Sequence, residues 1–147
     1  MTDIERLLAI EDIKRLKARY FRCVDTKDWN TFRTLFTADA AFDIRDDVPG
    51  CLMIGPDAIA SAASGPLEGC ISVHHGHCPE IDILSDVEAQ GIWAMEDILR
   101  WSADSALPGQ TLHGFGHYFE RYAKADGAWR ISALKLQRLR VDVGGST

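Results

Sequence analysis

Three of the five histidines and one of the four cysteines fall within Val73-His74-His75-Gly76-His77-Cys78-Pro79. Imidazole takes up and releases protons near neutral pH and also ligates metals, so this run points to proton transfer or to ligation. Ile71, Val73, Ile81 and Ile83 recur around it at every second position, the period of a strand. On a strand, His74 and Cys78 share one face while His75 and His77 share the other. Whichever face is the core, at least one imidazole is carried into it and needs a polar partner there. Local spacing alone leaves that partner open.

His75, His77 and Cys78 also allow a metal reading, since His-x-His on a strand sets two rings on one face. A third ligand would have to come from His113, His117 or Glu96, and no spacing selects among them. The expectation is therefore that no metal is bound. There is no nucleophile elbow, no phosphate-binding glycine loop and no dinucleotide fingerprint, so no cofactor is expected either.

A chain of 147 residues, 46% hydrophobic and 26% charged, suits one folded domain. The expected boundaries are residues 1–143 for that domain and 144–147 for a flexible tail. A net charge of −6 argues against nucleic acid, which requires a basic face. No apolar run reaches the length of a membrane span, and the acidic start is unlike a signal peptide. Cys23, Cys51, Cys70 and Cys78 form no C-x-x-C pair, so reduced thiols in the cytoplasm are expected.

The elements that must position the histidines start with a helix. Thr2-x-x-Glu5 reads as a capping box. Ile4, Leu7, Leu8, Ile13, Leu16, Tyr20, Phe21 and Val24 then make an amphipathic stripe, with a possible break at Ala9-Ile10-Glu11. Tyr20 and Asp25 are five residues apart, so they converge only if the helix ends near Val24 and Asp25 sits on the exit turn. Asp28 is placed to cap a second helix, Trp29 to Leu35. A strand over 40–44, a short one over 51–54 and a helix starting at Gly55-Pro56 follow.

Four long strands come next, over 72–84, 87–101, 111–124 and 129–143, the last two joined by an Asp126-Gly127 hairpin. Pro79 demands a bulge or an edge. Helices followed by antiparallel strands imply an α+β domain. Its curved, mostly antiparallel sheet packs against the N-terminal helices as a cone with an internal pocket. Tyr118 shares a face with Gly114 and Gly116, whose missing side chains would leave room for a ligand. Trp93 is read as core or pocket wall, and Arg138 and Arg140 either anchor an anionic substrate or form ion pairs on the outer sheet.

In this order the chain carries Ile13-x-x-Leu16-x-x-Arg19-Tyr20, Val24-Asp25 and Lys27-Asp28-Trp29. Leu35-Phe36-Thr37-Ala38-Asp39-Ala40, Gly55-Pro56-x-Ala58-Ile59, His74-His75-Gly76 and Asp126-Gly127-x-Trp129-Arg130-Ile131 follow. Together, over roughly residues 3–143, they resemble the SnoaL-like branch of the NTF2-like (cystatin-like cone) superfamily. The finer resemblance is to its Asp/His members, such as scytalone dehydratase, bile acid 7α-dehydratase and hexachlorocyclohexane dehydrochlorinase.

That resemblance implies a cofactor-independent lyase or isomerase of the dehydratase type, acting on a small hydrophobic, cyclic or polyketide- or steroid-like substrate. It places Asp25 and His74 as a catalytic dyad, with Tyr20 matching a catalytic tyrosine. Tyr118, His75 and Trp93 are the expected substrate-binding residues. The chain departs from these relatives in having Val24 before the aspartate and Leu134 where a pocket arginine stands in the dehydrochlorinase. A homo-oligomer, dimer or trimer, is expected. The alternative is a non-catalytic binding module, or an assembly protein like an oxygenase small subunit.

Overall fold

The computed structural model describes residues 1–145. Three helices are α1 (Asp3–Thr26), α2 (Trp29–Arg33) and α3 (Pro56–Ser64). The strands are β1 (Phe36–Asp43), β2 (Leu52–Ile54), β3 (Cys70–Ile83), β4 (Glu88–Trp101), β5 (Gln110–Ala125) and β6 (Ala128–Gly145). They form one curved, mixed sheet in the order β2-β1-β6-β5-β4-β3. Its pairs are antiparallel except β1 with β6.

The capping box forms as expected: Glu5 N–H donates to Thr2 Oγ1 at 3.3 Å, and Thr2 N–H donates to Glu5 Oε2 at 2.7 Å. α1 then runs unbroken through Ala9-Ile10-Glu11 and ends two residues later than expected. Lys27 stops it in a left-handed conformation, φ 60°, its N–H donating to the Cys23 and Val24 carbonyls. Ile13, Leu16, Cys23 and Val24 are buried against the sheet. Burying a side chain the size of Ile13 contributes about 1.5–3 kcal/mol, enough to override weak local breaks. Ile4, Leu7 and Leu8, the first members of the stripe, remain exposed. Asp28 caps α2, accepting from Thr31 N–H at 3.1 Å.

The face toward α1 carries Ser72, His74 and Gly76 from β3, and Trp93, Met95 and Asp97 from β4. Gly114, Tyr118, Glu120 and Tyr122 from β5 and Leu134, Leu136 and Arg138 from β6 complete it. Pro79 meets both of its conditions. β3 is an edge strand, and its register shifts between His77 and Glu80. Within this bulge Cys78 has φ 38° and is exposed, so it does not share the face of His74 as strict alternation required. Gly144 and Gly145 pair with Thr111 and Gln110 and extend β6, which corrects the expected tail at those two positions. The rest of that tail lies outside the described residues.

Candidate active site

β3 runs beneath the last turn of α1, and Asp25 reaches down onto it. Asp25 Oδ1 accepts from His74 Nδ1 at 2.6 Å and from the Ser72 hydroxyl at 3.0 Å. Its Oδ2 accepts from the His74 backbone N–H at 2.9 Å. Burial pushes the Asp25 carboxyl up, but the bonds from His74 and Ser72 outweigh it and hold the group below its ordinary value. With a carboxylate on Nδ1, the neutral ring carries its proton there and presents Nε2 as the acceptor. Among the described residues Nε2 has no hydrogen-bond partner, and the His74 side chain keeps 10% of its surface open.

A third link comes from the helix cap. Lys27 Nζ donates to the Ser72 hydroxyl at 2.7 Å and to the Val24 carbonyl at 3.2 Å. Lys27 also lines a cavity of about 710 Å³, with Trp29, Leu67, Cys70, Ile71 and Ser102 among its walls. That cavity is therefore joined to Asp25 through Lys27 and Ser72. A second cavity, of about 530 Å³, opens on the outer side of the sheet beside Ile92, Phe119 and Leu52. Neither includes Asp25 or His74 in its walls.

Tyr20 lies on the buried stripe of α1, its ring packed on Phe21, Phe32, Phe36 and Tyr118 at centroid distances of 5.2–6.3 Å. The structure does not bring its hydroxyl into a hydrogen bond with Asp25. Burial, then the charges of Glu120, Asp97 and Asp25, push the Tyr20 hydroxyl far up, so it stays protonated. Among the described residues, Thr37 Oγ1 and Trp129 Nε1 are the fully enclosed side-chain polar atoms without a partner. Tyr20 and Tyr118 are both buried, 4% and 3% exposed.

Tyr118 and Trp93 face α1 as cross-strand neighbours. The Trp93 indole N–H donates to the Tyr122 hydroxyl at 2.8 Å. His75 does not join them. It projects from the opposite face of β3 beside His77 and Glu96, half exposed, because residues one apart on a strand point to opposite sides. The room expected at Gly114 is taken. Arg138 and Asp97 fill it, paired through two 2.8 Å bonds, with Asp47 also on Arg138. A side chain on Gly116 would meet the Gln137 carbonyl. Arg138 is thus an inner-face residue, while Arg140 pairs with Asp142 in the open.

Sequence reasoning passed over Lys17, Glu120 and Asp97, all buried. Lys17 donates to Glu120, which also accepts from the Tyr122 hydroxyl. The Lys17 ammonium lies 3.9 Å from the Tyr20 ring centre and 3.8 Å from that of Tyr118. The available signal was a lysine inside the apolar stripe of α1, one turn before Tyr20.

The profile of the SnoaL-like domain matches residues 5–135. The chain belongs to that family. Solved structures similar to this SnoaL-like chain include a scytalone dehydratase-like protein from Novosphingobium aromaticivorans. It is 22% identical, has a TM-score of 0.84, and covers 96% of this chain and 91% of the other. A hexachlorocyclohexane dehydrochlorinase, LinA-type3 from Novosphingobium barchaimii, gives 16% and 0.83, covering 99% and 97%. Rv3472 of Mycobacterium tuberculosis, a protein of unknown function, gives 26% and 0.78, covering 95% and 78%. At these identities the likeness establishes the cone architecture, and SnoaL-like cones serve unrelated functions.

Proposed function

We propose that this SnoaL-like protein is a cofactor-independent lyase or isomerase in which His74 is the general base and Asp25 its partner. The observation that carries this reading is the 2.6 Å contact between Asp25 Oδ1 and His74 Nδ1, which leaves Nε2 to accept a proton. Nε2 removes a proton from a carbon beside a carbonyl, and Asp25 stabilises the imidazolium that results. In an elimination a leaving group departs from the adjacent carbon; in an isomerisation the proton is returned elsewhere. Tyr20, held protonated by burial, donates a hydrogen bond to the developing enolate or to the leaving group. Tyr118 and Trp93 supply the aromatic wall, which suits a small hydrophobic, cyclic substrate. The similar structures that carry dehydratase and dehydrochlorinase names support this class.

The test is NMR in D₂O with a panel of cyclic ketones carrying a β-leaving group, following deuterium uptake at carbon and alkene formation. Asp25→Asn and His74→Ala should each slow turnover by about 10²- to 10⁴-fold with the fold retained by circular dichroism. Turnover that survives both substitutions overturns the mechanism. Saturable binding without exchange or elimination would instead identify a binding module.

A further inference from the structure

Three of the four histidines outside the dyad, His75, His77 and His113, converge on Glu96. His75 and His77 project from one face of β3, and Glu96 stands directly across from His75 on β4. His77 Nε2 is 3.5 Å and His75 Nδ1 is 3.9 Å from the same carboxylate oxygen, Glu96 Oε2. One ligand atom from each of the three residues lies within 4.8 Å of the other two. Metal–nitrogen and metal–oxygen bonds of about 2.0–2.1 Å in a tetrahedron set ligand atoms roughly 3.3–3.5 Å apart, so small rotations of half-exposed side chains complete the fit. On β5, His113 Nε2 bonds the other oxygen, Glu96 Oε1, at 2.6 Å.

We propose that His75, His77 and Glu96 bind one divalent transition-metal ion on the sheet face opposite the Asp25–His74 pair, with His113 positioning Glu96. Two imidazoles and a carboxylate suit zinc, cobalt or nickel and leave a coordination position for water. Such an ion would bridge the edge strand β3 to β4. The sequence already showed His-x-His and offered His113, His117 or Glu96 as the third ligand without selecting among them; the group that lies within reach is Glu96.

Untagged, metal-free protein is titrated with Co²⁺ and followed by its visible absorption, with Zn²⁺ competition for affinity. One Co²⁺ per chain is expected, without thiolate charge-transfer bands. His77→Ala and Glu96→Gln should each weaken binding at least about 100-fold, and His113→Ala about 10-fold, as for a residue that orients a ligand. Cys78→Ser should leave binding unchanged. No stoichiometric binding overturns the proposal. So does binding equally tight in His77→Ala and Glu96→Gln, or binding lost with Cys78→Ser.

Discussion

Arg138 holds both carboxylate oxygens of Asp97, Nη1 on Oδ1 and Nη2 on Oδ2 at 2.8 Å each, across the bare Cα of Gly114. The glycine is a requirement of the ion pair: a Cβ there would stand 2.0 Å from Arg138 Nη1 and 2.2 Å from Asp97 Oδ1. Gly114→Ala should force the pair apart and leave a buried carboxylate uncompensated. The expected loss is about 3–5 kcal/mol in urea unfolding. An unchanged midpoint would mean that the pair shifts aside freely.

Lys17 and Glu120 form a second enclosed pair, both side chains without solvent exposure. Lys17→Met removes the cation and strands Glu120 with the Tyr122 hydroxyl as its remaining donor, again a loss of about 3–5 kcal/mol. Lys17→Met combined with Glu120→Gln should cost clearly less than the two single losses added together. Strict additivity in the double-mutant cycle would show that the pair is not coupled.

Asp25 ties stability to acidity. Its folded carboxyl lies below the ordinary 3.8, so its stabilisation is fully present above that pH and is lost as the pH falls through the lower folded value. The gap in unfolding midpoint between the wild type and Asp25→Asn should therefore narrow as the pH is taken below 3.8. Denaturant curves at a series of acid pH values measure it. A gap constant with pH would mean that the carboxylate is not favoured by folding.

Gly76 lets α1 sit close to β3. A Cβ at this position would lie 2.7–2.8 Å from the Phe21 ring and 3.0 Å from Trp93. Gly76→Ala should cost about 1–3 kcal/mol through overpacking. Phe21→Leu in the same chain should recover part of the loss, measured as the shift in thermal midpoint. A fully tolerated alanine would show that the helix moves away without penalty.

Much of the architecture was legible because its signals are local. Thr2 with Glu5, Asp28 before Trp29 and Pro79 within a strand each act over a few residues. So does Asp126-Gly127, a turn with φ 51° and 77°. Alternation around residue 74 placed His74 and His75 on opposite faces before any partner was known. It could not follow the chain through the bulge at Cys78, where one extra residue reverses the phase.

What the amino-acid order decided by itself is which way side chains point along a regular stretch of helix or strand, since helix and strand periods are properties of the backbone. Which charges meet was settled only by the packed fold. Lys17 finds Glu120 across 103 residues and Asp97 finds Arg138 across 41, because curvature and register bring α1 and three strands onto one face. An ion pair or a hydrogen-bonded dyad depends on distances of about 3 Å, and a periodic pattern carries no distance between elements remote in the chain.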